Sequence, residues 1–175
     1  MTGAIVRAIV VGALSVVLAA CATMSSQQTS YLPTALQMKV DRSFSALSID
    51  TPLVEAEPHL TRIAEGDCAA RGECDWRDAE SVRHYFWGDD SGSLHIVVKT
   101  VRADEFAGRR IRALGIGNAR NRTEVVEAIR KFAPDMPLEC DESSCGATLV
   151  PGWITVRFDD ADQLAEVRFD GYHFT

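Results

Sequence analysis

The chain has 175 residues, 46% of them hydrophobic, with 18 basic and 25 acidic side chains and a net charge of −7 at pH 7. That length suits one domain or two small ones, and the acidic balance argues against nucleic acid as a partner, because a phosphate backbone is held by clustered Lys and Arg. The charge is unevenly spread: residues 50–90 carry a net −7, residues 91–133 a net +5 and residues 134–175 again −7.

Residues 1–20 hold one charge, Arg7, and no acid, and from Ala8 to Ala20 the run AIVVGALSVVLAA is apolar apart from Gly12 and Ser15. Such a run suits the apolar region of a signal peptide and falls short of the ~20 residues a membrane-spanning helix needs. It ends in Leu18-Ala19-Ala20-Cys21, which resembles the lipobox of bacterial lipoproteins. The resemblance implies removal of residues 1–20, acylation of Cys21 and a membrane partner held through that anchor alone; several acyl chains anchor stably where one does so marginally. Ordinary secretion, with cleavage after Ala22, is the competing reading of Ala20-Cys21-Ala22. By resemblance to the sorting of enterobacterial lipoproteins, Ala22 in place of an Asp implies the outer membrane, facing the periplasm. Residues 21–37, polar and broken by Pro33, read as a tether.

An exported chain with an odd number of cysteines must account for one of them. Of the five here Cys21 takes the lipid, leaving Cys68, Cys74, Cys140 and Cys145 as disulfide candidates with three possible pairings. A zinc site is the alternative, but the spacings C-x5-C and C-x4-C are loose for one and no His follows at finger-like spacing.

The rest reads as a unit written twice, over 38–108 and 109–175. Ala46-Leu47-Ser48-Ile49 is echoed by Ala113-Leu114-Gly115-Ile116, a helical stretch follows each, and Cys68/Cys74 are echoed by Cys140/Cys145. His84–Trp87 before Gly88-Asp89-Asp90 then matches Thr155–Phe158 before Asp159-Asp160. Closure within each copy predicts Cys68–Cys74 and Cys140–Cys145. Ser43–Asp50 alternates as a half-buried strand should. Thr51-Pro52 predicts a helix start, and Pro58 predicts a break before a short helix through Glu65. Asn121-x-x-Glu124 predicts a capped helix with Val125, Ile129 and Phe132 on one face, ended by Pro134. Strands are expected over Val82–Trp87, Leu94–Arg102, Gly146–Val150, Trp153–Phe158 and Ala165–Tyr172. Ile154, Val156, Phe158, Val167 and Phe169 share a face, while the face taken by Leu94 and Ile96 stays open, because a one-residue slip would invert it. The expected fold is α+β: two strand–helix–hairpin repeats sharing one antiparallel sheet with helices on one face.

No catalytic signature is present: no G-x-S-x-G, phosphate-binding loop, H-E-x-x-H or G-x-G-x-x-G. Neither an enzyme nor a cofactor nor a metal site is expected. His84 and His95 could meet across a hairpin but lack a third ligand, and the acidic clusters near Asp89 and Asp159 do not match a calcium loop. Aromatics say more. Tyr85 and Trp87 alternate with His84 and Phe86, so one pair faces the core and the other does not. Tyr85, Trp87 and Trp153, with Arg109, Arg110 and Arg112 on a strand near the sheet's middle, are the candidate partner-binding residues, the residue types that dominate interface hot spots.

The doubled unit with its Cys pairs resembles the tandem-repeat β-lactamase inhibitory proteins. IGNARNRTEVVEAI leading to WITVRFDDADQLAEVRF is similar to the SmpA/OmlA class of outer-membrane lipoproteins. Both resemblances imply helices on a short antiparallel sheet and action by binding another protein. The expected function is that of an inhibitor or immunity protein against an envelope-acting enzyme; the alternative is a structural accessory of outer-membrane assembly or cell-wall attachment. Replacing Cys21 by Ser should release the protein from membranes and stop lipoprotein-type processing. A Cys21→Ser protein that still sediments with salt-washed membranes would remove the anchor from this account.

Overall fold

A computed structural model describes residues 34–63, 68–89, 91–106 and 108–171. The signal segment, Cys21 and most of the tether lie outside the described residues. The first element, α1 (Ala35–Phe44), starts where Thr34 Oγ1 accepts a hydrogen bond from the Gln37 amide at 3.1 Å. Capping of this kind satisfies one of the amides that a helix N-terminus leaves without an internal partner. Leu36, Val40 and Phe44 recur every fourth residue, so one stripe of α1 meets the core. The helix takes residues 35–37 from the expected tether. It also overturns the strand expected over Ser43–Asp50, because Ser43 and Phe44 complete α1 and residues 45–50 run irregularly.

Next come α2 (Leu53–Ala56) and a 3-10 turn over Glu57–His59 that contains Pro58. Strand β1 (Leu60–Arg62) stands where a second short helix was expected. One helical turn, α3 (Cys68–Arg71), precedes β2 (Glu73–Asp78), β3 (Arg83–Gly88) and β4 (Leu94–Arg102). A crossover through 3-10 turns at 103–106 and 113–115 reaches α4 (Arg122–Phe132), where Asn121 Oδ1 accepts from the Glu124 amide at 3.0 Å. The chain ends in β5 (Glu139–Cys140), β6 (Ser144–Thr148), β7 (Trp153–Phe158) and β8 (Leu164–Asp170).

All eight strands form one antiparallel sheet in the order β1-β2-β3-β4-β8-β7-β6-β5. Two four-stranded meanders therefore meet along β4 and β8. Four of the hairpin turns close the same way, on an aspartate that accepts two backbone amides: Asp78 from Glu80 and Val82, Asp89 from Ser91 and Ser93, Asp141 from Ser143 and Ser144, Asp159 from Ala161 and Gln163. Acids that resemble cation ligands in the sequence are turn fasteners here. The turn into β7 instead uses Gly152 at φ +107°, where a Cβ would stand 2.3 Å from the Asp170 carbonyl oxygen.

The main core sets Val40 and Phe44 of α1 and Val125 and Ile129 of α4 against Val101, Val156, Val167 and Phe169 of the sheet. A second cluster gathers Ala56, Trp76, Phe86 and Ile96. A bulge in the β3–β4 ladder between Tyr85 and Phe86 resolves the open register: Phe86 pairs with Ile96, so Leu94 and Ile96 face the core, and beyond the bulge Lys99 and Val101 do too.

Lys99 is fully buried. Its ammonium sits 2.6 Å from Asp41 Oδ1 and also donates to the Leu47 carbonyl, tying the sheet to α1 and to the segment after it. Burial lowers the Lys99 pKa, and Asp41 only partly restores it. Beside it, His84 meets Asp78 at 3.0 Å. Burial pushes the Asp78 carboxyl up, but the hydrogen bonds from His84 and the Val82 amide outweigh it and hold the carboxyl below its ordinary range. The Asp78 contribution is therefore present above pH ~4 and is lost as pH falls through the depressed folded value. Lys99 has the same proton balance in a higher window: there too the unfolded chain binds the extra proton, so stability rises with pH toward the ordinary lysine value, with the neutral rather than the charged form favoured by folding. Asp41→Asn keeps an acceptor for the Ile49 amide but leaves the ammonium uncompensated, and should cost about 3 kcal/mol at pH 7. Urea titrations should show that deficit shrinking by pH 10; a pH-independent deficit would mean Lys99 is not the cause.

Candidate functional site: the outward sheet face

Side chains alternate across a strand, so the positions between the core residues look away from the core. On β3 these are Arg83, Tyr85 and Trp87, while His84 and Phe86 are fully buried. Cross-strand pairing puts Tyr85 opposite Val98, Val98 opposite Asp170 and Asp170 opposite Trp153, a row across β3, β4, β8 and β7. At about 4.8 Å per strand, Tyr85 and Trp153 stand roughly 14 Å apart. Trp87 lies one row further, 45% exposed, with its ring 6.3 Å from that of Tyr85. The three aromatic residues singled out in the sequence therefore share one face. Trp76, in contrast, is core, and its Nε1 donates to Cys74 Sγ at 3.1 Å.

The next row is Arg83, Thr100, Arg168 and Thr155. Arg168 is clamped by Asp170 through two nitrogens at 2.6–3.0 Å, and this contact raises its pKa. Arg83 is held by Glu105, which raises its pKa too, and Glu105 also takes Arg77 at 2.8 Å. Tyr85 donates its hydroxyl to Glu73, and burial followed by that bond pushes the phenol pKa up, so the ring stays neutral. Burial also raises the Asp75 pKa, against the pull of Arg83. Between these groups lies a groove of about 420 Å³, lined by Asp75, Arg83, Tyr85, Val98, Thr100, Arg102, Glu166 and Arg168. Arg83 and Arg168 are fixed in place there by neighbouring acids, and the Tyr85 phenol is uncharged. Such a surface offers rigid contact area and preset donors.

Arg109, Arg110 and Arg112 are not part of it. The strand expected there is absent: Ile111 makes only an isolated bridge to Gly117, and the segment belongs to the crossover before α4, beside Phe44 and Ala113. The sheet's middle is β4 and β8. The arginines that accompany the aromatics, Arg83 and Arg168, were legible by parity alone, two residues before Tyr85 and between the core positions Val167 and Phe169. His84 and His95 do not meet either: His84 pairs with Lys99, and His95 with Trp87. Among the described residues no group of three or more His, Cys, Asp or Glu is placed to hold a metal ion, and no helix is long and apolar enough to cross a membrane.

Cys140 and Cys145 are bonded to each other across the β5–β6 hairpin, where they stand directly opposite. Cys68 and Cys74 differ from the expectation: they are two buried free thiols in contact. Burial and the hydrogen bond with Cys68 push the Cys74 thiol up to about 12, while Arg62 Nη2 lies 3.2 Å from Cys68 Sγ. Comparison with protein-family models, with curated proteins and with solved structures returns no match to this chain. Non-reducing peptide mapping should return a Cys140–Cys145 linkage and, after mild oxidation, a Cys68–Cys74 linkage. A Cys68–Cys140 peptide would contradict the fold, since Cys68 on α3 packs against Cys74 of β2 while Cys140 stands on β5, at the other end of the strand order.

Proposed function

We propose that this chain is a lipid-anchored periplasmic protein of the outer membrane that works by binding another protein, as an inhibitor or immunity protein against an envelope-acting enzyme, without catalysis. The outward sheet face carries this reading. It gathers Tyr85, Trp87 and Trp153 with Arg83 and Arg168, the composition of an interface centre. Immobilised side chains also lower the entropy cost of association.

The same reading takes the domain as two related halves, 38–108 and 109–175. Several equivalences support it. Cys74 and Cys145 each stand second in the second strand of their meander. Asp89 and Asp159 each cap the turn before its last strand, through the same backbone pair, Asp89 with Ser93 and Asp159 with Gln163. Pro52 bridges His95 just before α2, and Asn121 bridges Gln163 just before α4. A duplicated unit packed this way doubles the width of one continuous face, which suits capture of a protein better than enclosure of a small molecule.

A photo-crosslinking amino acid at Trp87 should give one discrete adduct in the cell envelope, and the same group at Glu127 on α4 should not. With that partner purified, Trp87→Ala should weaken binding at least ~30-fold, about 2 kcal/mol, with the melting temperature nearly unchanged. Equal adducts from both positions, or a collapse of folding in Trp87→Ala, would remove the outward face as the binding surface.

A further inference from the structure

The crossover arginines, which the outward face does not use, frame a different feature. Between the 3-10 turn at 103–106 and the start of β3 lies a cavity of about 250 Å³ on the core side of the sheet. Its floor is apolar: Phe44, Val82, Val101 and Phe106, each buried. Its rim is charged: Arg109, Arg110 and Arg112, with Glu80 as the one acid. A cavity of roughly 150 Å³ with apolar walls stays dry and takes a benzene-sized guest, so this one has room for a phenyl ring or a branched alkyl group.

The rim is built rather than incidental. Ile111 and Gly117 exchange both backbone hydrogen bonds, at 2.8 and 2.7 Å, and close the loop between them. Arg120 braces that loop from beneath, donating to the carbonyls of Arg109 at 2.6 Å, Ala119 at 2.7 Å and Gly117 at 3.2 Å. Arg109 lies over the Phe106 ring and donates to Ser81 Oγ at 2.7 Å. Arg112 is satisfied by both oxygens of Glu80. Arg110 alone of the three makes no ion pair or side-chain hydrogen bond among the described residues. The rim therefore carries a net positive charge on a chain whose overall charge is −7. An uncommitted guanidinium beside an apolar cavity is complementary to a ligand that joins an apolar group to a carboxylate.

We propose that this cavity binds an apolar carboxylate, its hydrocarbon group on Phe44, Val82, Val101 and Phe106 and its carboxylate on Arg110. The chemistry has two sources: a free small acid, or the C-terminal residue of a polypeptide with a bulky apolar side chain. The site is independent of the outward face.

Calorimetric titration of the purified domain tests it with N-acetylphenylalanine, N-acetylphenylalanine amide and N-acetylalanine. The first should bind saturably in the millimolar range or tighter, and the other two at least tenfold more weakly, since each lacks one half of the match. Arg110→Glu and Ala79→Trp, both at exposed rim positions, should each weaken N-acetylphenylalanine at least tenfold, while Arg130→Glu on α4 leaves it unchanged. A pentapeptide ending in Phe, compared with its C-terminal amide, separates the sources: tighter binding of the free-acid peptide than of N-acetylphenylalanine assigns a polypeptide end, and weaker binding a free acid. No saturable binding of N-acetylphenylalanine, equal binding of its amide, or indifference to Arg110→Glu would each overturn the assignment.

Discussion

The pairing of β4 with β8 joins the two meanders into one sheet and sets which side chains face the core. Each is the last strand of its own meander, and neither meander encloses a core of its own of the size the two build together. Val98 to Arg102 lie opposite Asp170 to Glu166 in antiparallel register, and that register aligns Val101 with Val167 and Lys99 with Phe169 on the core side. It also aligns Tyr85, Val98, Asp170 and Trp153 on the other side. A slip of one residue at this seam would turn half of the core outward and separate the aromatic residues. The bulge beside Tyr85 serves the same end, because it lets the nine residues of β4 keep both of their apolar segments facing inward.

The seam is locked to α1 by a charge. Lys99 sits at its centre, and its ammonium finds acceptors in the Asp41 carboxylate and in the carbonyls of Asp41 and Leu47. After desolvation such a pair adds little net stability. Its contribution is directional: an apolar side chain at this place would tolerate α1 in several positions along the sheet, and the ammonium tolerates one. The neighbouring His84–Asp78 pair continues the polar thread to the turn between β2 and β3, so the fastening of that turn and the seating of α1 depend on adjacent groups.

Much of this was legible from local pattern. α4 was announced by Asn121 and Glu124, and β4 and β7 begin and end where alternation and Gly or Pro put them. The outward direction of Tyr85 and Trp87 followed from parity once one of the pair His84 and Phe86 was assigned to the core. The errors share a cause. SFSALSID alternates like a strand, yet its first residues are the end of α1, and the polar run up to Gln37 hides the helix's first turn within the tether, so that Leu36, Val40 and Phe44 do not stand out as one stripe. Strand β2, Glu73–Asp78, has four charged residues in six and shows no apolar run, because its outward residues face the Arg and Glu groups of neighbouring elements. The place of Arg109–Arg112 depended on a crossover that periodicity does not describe, held by the Ile111–Gly117 bridge and by positive φ at Leu114, Gly115 and Gly117.

Charge is used differently in the two parts of the molecule, and the difference bears on what each surface can recognise. At the hairpin ends aspartates are consumed by backbone amides. On the outward face Arg77, Arg83 and Arg168 are consumed by Glu105 and Asp170. Paired charges at a surface contribute little long-range field once salt screens them, so the partner proposed for that face would be read through shape, aromatic area and fixed donors, with weak dependence on ionic strength. At the crossover Arg110 is left uncommitted over an apolar cavity, so the carboxylate proposed for that site would be held through charge, and its binding would weaken as salt competes. The two proposed surfaces therefore differ in what they would read, one contact area and the other charge, and neither uses the residues of the other.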